Sequence, residues 1–68
     1  MKCPCCGGML TVGYDLRERS FIAYCGNITG PNGCRSNKAN EGEFGRSEEQ
    51  AQLNLIAKLE KNPDWSEE

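Results

Sequence analysis

The chain has 68 residues, a formal net charge of −2, 37% hydrophobic residues and 7% aromatic residues. This allows one small domain and excludes a multi-domain enzyme, a dinucleotide-binding fold and a closed barrel; a chain this short rarely folds on apolar burial alone and needs a staple. No apolar run approaches the roughly 18 residues of a membrane helix, and Met1-Lys2-Cys3-Pro4 lacks the apolar stretch of a signal peptide, so a cytoplasmic protein is expected.

The staple is read from the cysteines. There are five, Cys3, Cys5, Cys6, Cys25 and Cys34, and no histidine. An odd count without a leader argues against a disulfide framework and for a metal site. Cys3-Pro4-Cys5-Cys6-Gly7-Gly8 contains C-P-x-C-G-G, a knuckle in which Cys3 and Cys6 chelate one ion. Pro4 fixes its first corner, and Gly7 supplies the positive φ that turns the chain away. Cys5 fits the knuckle poorly as a ligand and is expected to be a spare, partly buried thiol.

Met9–Tyr14 and Ser20–Tyr24 read as two strands, from their aromatic and β-branched residues. Asp15–Arg19 is the loop between them, and the hairpin delivers Cys25 to the first knuckle. Cys25 and Cys34 form the other half of the site, widened by eight intervening residues. The predicted ligands are therefore Cys3, Cys6, Cys25 and Cys34 around one tetrahedral Zn²⁺, with iron as the alternative occupant. Four thiolates leave no open position for an activated water, so the ion is expected to be structural and its binding energy to be folding energy.

Residues 26–46 are rich in Gly and Asn and read as loop, with a short third strand ending near Glu43-Phe44 and Phe44 anchoring it on the core. Ser47-Glu48-Glu49-Gln50 is a capping box, with Ser47 as N-cap and Gln50 reaching back. A helix follows to about Lys61 and stops at Asn62-Pro63. Ala51, Leu55 and Leu59 form its stripe, widened by Leu53, Ile56 and Ala57, with Asn54, Lys58 and Lys61 on the polar side. The stripe is expected to cover the sheet. Leu55, Leu59 and Trp65 are also the candidate protein-contact residues, since tryptophan is enriched at interaction hot spots.

The predicted architecture is a small metal-stabilised α+β fold. A zinc ribbon with its Gly/Asn-rich loop spans 1–46, a C-terminal helix of the same domain spans 47–62, and an acidic tail spans 63–68. Residues 1–46 carry a formal charge of +2 and residues 47–68 carry −4, which is no strong footprint for duplex nucleic acid. Arg17, Arg19, Arg35 and Lys38, with Tyr14 or Phe21 stacking, are the candidates if nucleic acid is bound. Ordinary acid–base catalysis is not expected without histidine, and no small-molecule substrate or membrane contact is expected.

The order of these motifs resembles the small phage and prophage zinc ribbons of the restriction alleviation (Lar-type) family. The likeness runs through Cys3-Pro4-Cys5-Cys6-Gly7-Gly8, the hairpin, Tyr24-Cys25, a second ligand, and Ser47-Glu48-Glu49-Gln50-Ala51 leading to Asn54. Where that family carries Trp-Asn, this chain has Leu53-Asn54, and its second cysteine pair is wider. A weaker similarity is to Ogr/Delta-type phage transcription activators, through the C-P-x-C knuckle and Tyr24-Cys25-Gly26-Asn27. The first resemblance implies a non-enzymatic phage or prophage accessory protein that binds a protein partner and modulates host restriction. The second implies a nucleic-acid-binding regulator of transcription or translation.

Overall fold

The computed structural model describes residues 1–26 and 33–64. Two antiparallel strands come first, β1 (Leu10–Asp15) and β2 (Ser20–Cys25), then a short helix α1 (Asn37–Glu41), a third strand β3 (Glu43–Gly45) and the long helix α2 (Glu48–Lys61). The strands form one three-stranded antiparallel sheet in the order β1-β2-β3, with β2 central. This is a small α+β fold, as expected.

The first hairpin begins and ends within one residue of its predicted strands. Asp15 closes it, because its Oδ1 accepts from the Arg17 amide at 2.8 Å and the Glu18 amide at 3.3 Å, an Asx-type turn. Arg19 completes the turn at φ 53. The register runs from Leu10 opposite Cys25 to Asp15 opposite Ser20. It therefore places Cys25 at one end of the sheet and the basic turn at the other.

Strand parity then assigns the faces. Leu10, Val12 and Tyr14 share a face with Phe21, Ala23 and Cys25, their opposite partners. This is the face that α2 covers. Leu55 and Leu59 from α2, with Leu10 and Ala23 from the sheet, Ala39 from α1 and Ala51, make up the buried apolar core around the cysteines. Gly45 permits the close approach of helix and sheet: a Cβ there would lie 2.6 Å from the Ala51 Cα and closer still to the Ala51 nitrogen.

Several expectations change at this level. Residues 37–41, read as loop, are helical: the Ser36 hydroxyl caps α1 by accepting from the Ala39 amide at 3.1 Å, and Gly42 ends it at φ 85. One helical turn with a single buried residue, Ala39, leaves no periodic signal to read. Phe44 does not anchor β3 on the core. It stands opposite Ile22, on the sheet face away from α2, and is 37% exposed. Leu53 and Ala57 do not widen the buried stripe but face solvent.

Asn54 and Lys58 are not a free polar side. Asn54 Nδ2 donates to the Phe44 carbonyl at 2.9 Å, while Lys58 Nζ reaches the Gly42 carbonyl at 3.4 Å and lies 3.7 Å from Glu43 Oε2. Ser47 caps α2 as predicted, accepting from the Gln50 amide at 3.1 Å. The Gln50 side chain does not reach back. It donates to Asn54 Oδ1 at 2.8 Å, which orients Asn54 toward β3. The predicted break after Lys61 holds: Asn62 leaves the helical region at φ −159, with its amide still donating to the Lys58 carbonyl.

Candidate metal centre

The first knuckle is a miniature hairpin. The Cys3 amide donates to the Gly8 carbonyl at 2.6 Å, the Gly7 amide returns to the Cys3 carbonyl at 2.8 Å, and Lys2 bridges Met9. Gly7 sits at φ 76, as predicted, and a Cβ there would meet nothing within 4 Å. Glycine is therefore required for conformation and not for space. The turn directs the Gly8 amide at Cys6 Sγ, 3.4 Å away.

The second pair uses the same device. Cys25 is the last residue of β2, and Cys34 precedes Ser36, whose backbone amide hydrogen-bonds the Cys34 sulfur. In each half, then, the amide two residues after the second cysteine points at its sulfur. Backbone donors aimed at sulfur favour the thiolate. The widening of this pair falls on residues 27–32, which lie outside the described residues.

The four predicted ligands come together. The Sγ atoms of Cys3, Cys6, Cys25 and Cys34 all lie within 4.8 Å of one another. Two short approaches join one half to the other, with Cys3 to Cys34 at 3.8 Å and Cys6 to Cys25 at 3.5 Å. A metal–sulfur bond of about 2.3 Å in a tetrahedron gives sulfur–sulfur edges of about 3.8 Å. Disulfides require about 2.0 Å, and none joins the five cysteines. The group therefore lies close enough to hold a metal ion, and its all-sulfur donor set suits a soft or borderline cation.

Burial sets the electrostatics of this cage. Cys3, Cys25 and Cys34 are buried and Cys6 is half-buried. Desolvation pushes the Cys34 thiol far above its ordinary 9.0; the Ser36 amide opposes the shift, and the neighbouring Cys3 and Cys25 add to it. Without a cation, the protein thus disfavours the charged form. A bound dication reverses that balance and holds the sulfurs as thiolates.

Cys5 lies beside the cage and outside it. It is half-buried, and its side chain makes contacts with Ser36 and Cys3. Burial raises its pKa as well, with the Ser36 hydrogen bond opposing. Cys5→Ser is expected to leave metal content and the far-ultraviolet spectrum unchanged, whereas Cys6→Ser removes the metal. Elemental analysis of the two purified variants checks this, and metal loss in Cys5→Ser alone would transfer the ligand role.

Sequence reasoning missed Ser36. It is fully buried, caps α1, supplies the amide to Cys34, and donates its hydroxyl to the Pro63 carbonyl. The Asn37 amide donates to the Asp64 carbonyl at 3.0 Å, so the chain leaving α2 is held beside the cysteine cage. The available signal was Ser36 followed by Gly42, an N-cap and a C-terminal glycine bracketing one turn.

The other candidate residues separate. Leu55 and Leu59 are 0% and 3% exposed, packed against the sheet, so they present no surface to a partner. Trp65 lies outside the described residues, as does the tail beyond Asp64. Arg17 and Arg19 sit on the exposed hairpin turn, while Arg35 and Lys38 flank the cysteine end of the sheet. The four cations form no single patch. Tyr14 and Phe21 engage each other edge to face, with ring centroids 5.1 Å apart. No helix among the described residues is long and apolar enough to cross a membrane. The chain matches no family model, no curated protein and no solved structure.

Proposed function

We propose that the chain is a zinc ribbon stabilised by one structural Zn²⁺, and that it acts without catalysis, as a phage- or prophage-encoded accessory protein that binds a protein partner. The observation that carries this reading is the set of four sulfurs within 4.8 Å of one another, two from each knuckle. Four protein ligands complete a tetrahedron and leave no position for substrate or water. Zinc is favoured over iron because the site needs no redox function to account for it.

The resemblance to the restriction alleviation (Lar-type) family supports a partner in the host restriction machinery. Two helix positions of that resemblance have structural work in this fold: Ala51 lies under Gly45, and Asn54 holds the Phe44 carbonyl. With Leu55 and Leu59 buried, contact with a partner falls to exposed apolar residues such as Leu16 and Phe44. The nucleic-acid reading is less well served, because its four basic residues are split between the two ends of the sheet.

A plating assay tests the proposal. Producing the chain in a restricting host is expected to raise the plating efficiency of unmodified phage, and Cys25→Ser is expected to abolish the effect. An unchanged efficiency with soluble, zinc-loaded protein would refute the restriction reading. A gel shift with single-stranded or duplex oligonucleotides that weakens with salt would favour the regulator.

A further inference from the structure

The four sulfur donors of the proposed zinc site are not equally sheltered. Cys3, Cys25 and Cys34 are buried, whereas Cys6 is half-buried and Gly7 after it is exposed. The space beside that turn is open, since a Cβ at Gly7 would meet nothing within 4 Å. A small solute in water therefore meets the cage first at Cys6.

Cys6 also has a second sulfur within short reach. Its Sγ lies 3.5 Å from that of Cys25. A disulfide bond is about 2.0 Å long, so closing one asks the two sulfurs to approach by about 1.5 Å. Cys25 is fixed as the last residue of β2, while Cys6 lies in a turn followed by Gly7 and Gly8. The movement therefore falls on the knuckle, where the glycines leave the backbone freest.

A sulfur bound to a dication is held as the thiolate, the form that attacks an oxidant. The Gly8 amide, 3.4 Å from Cys6 Sγ, favours the same form. Cys5 is half-buried too, but it stands outside the set of four sulfurs, where no cation holds it as the thiolate.

We infer, on the reading of this cage as a zinc centre, that Cys6 is an oxidation site, and that a peroxide joins Cys6 to Cys25 in a disulfide that expels the ion. The Cys6 thiolate attacks one peroxide oxygen. The S–O bond forms, the O–O bond breaks, and hydroxide leaves. The Cys25 thiolate then attacks the sulfenic sulfur. The S–S bond forms, the S–O bond breaks, and a second hydroxide leaves. The two sulfurs lose two electrons in all, and these reduce the peroxide to two hydroxide ions. Cys3 and Cys34 are left as thiolates, too few to complete a tetrahedron. A dithiol returns the two electrons and frees both sulfurs for metal again. The staple of this fold is thereby conditional on thiol redox state.

Hydrogen peroxide added stepwise to the zinc-loaded chain tests this. Released zinc is read with a chromogenic chelator, and the linkage by tandem mass spectrometry. One equivalent of peroxide is expected to release one equivalent of zinc and to leave a chain lighter by two hydrogens, linked Cys6 to Cys25. The helical circular-dichroism signal should fall with the zinc and return on adding dithiothreitol and zinc. Cys5→Ser is expected to release zinc at the unaltered rate. Cys6→His keeps four ligands of a common zinc type and is expected to slow release roughly tenfold or more, because no sulfur is left at the accessible corner. Should Cys6→His take up no zinc, the linkage formed in the unaltered chain decides. Zinc retained under excess peroxide, a linkage of Cys3 to Cys34 or through Cys5, slower release in Cys5→Ser, or unslowed release from zinc-loaded Cys6→His would overturn the inference. A chain that purifies without zinc would overturn the zinc-ribbon reading itself, and this inference with it.

Discussion

Removing the metal is expected to unfold the chain. Three of the buried core residues, Cys3, Cys25 and Cys34, are themselves sulfur donors of the proposed site. Among the described residues the remaining buried apolar side chains are three leucines and three alanines: Leu10, Leu55, Leu59, Ala23, Ala39 and Ala51. At about 0.05–0.15 kcal/mol per residue, a domain this size has a total stability of several kcal/mol. Structural zinc in small finger peptides contributes about 10–16 kcal/mol at neutral pH, which exceeds that whole margin. A chelator should therefore abolish the helical circular-dichroism signal, and Cys25→Ser should reproduce the loss without chelator.

Acid should act in the same direction. Because burial raises the Cys34 thiol above 9.0 in the metal-free cage, protons compete with the ion at neutral pH. Metal uptake then releases protons, and affinity falls as pH falls. In the metal-free state the sign on stability is opposite. A group with a raised folded pKa contributes stability below its unfolded pKa and loses it above, so any residual apo fold weakens as pH rises past 9.0. A chelated chain that kept its helix content and a cooperative transition would show that the metal is not the staple.

Leu55→Ala is expected to cost about 2–5 kcal/mol, a large part of the stability of the metal-loaded protein. Leu55 is the largest fully buried side chain among the described residues, and α2 meets the sheet through Leu55, Ala51 and Leu59. Leu55 lies in the buried cluster with Leu10, Ala23, Ala51 and Leu59, and truncating it leaves a cavity among them. Leu53→Ala removes the same atoms from a side chain that is 44% exposed and should change stability by about 0.5 kcal/mol or less. Urea denaturation of the two variants, both loaded with metal, measures the difference. Equal effects would mean that α2 does not pack through the face that burial assigns to it.

The contrast between Leu53 and Leu55 shows what the chain encodes locally. The i, i+4, i+8 row of Ala51, Leu55 and Leu59 was legible, because helical periodicity is a property of neighbouring residues. The margins of that row were not. Ile56 packs on the core and Ala57 faces solvent, and only the position of the sheet separates them.

The cysteine site divides in the same way. Pro4 and Gly7 impose the first knuckle by their own φ preferences, so Cys3 and Cys6 were readable as a pair. Ser47 marked the start of α2 for a similar reason, since a cap bonds an amide three residues away. The partnership of Cys34 with Cys3, at a sequence separation of 31, required the hairpin register to bring Cys25 to the same end of the sheet.

Length, cysteine spacing and short-range turn chemistry by themselves determined that this protein is one small α+β unit with a four-cysteine centre. The knuckle, the turns and the helix cap rest on hydrogen bonds and φ angles spanning a few residues, and the cysteine spacing supplied the rest of the ligand set. The tertiary structure alone decided which way the ambiguous residues face. Phe44 stands on the outer face because it pairs with Ile22, and a one-residue slip of register would reverse it. Asn54 became a clamp on β3, and Ser36 became the link between the cage and the end of α2. Each depends on what lies opposite, and residues opposite one another in a fold need not be near in sequence.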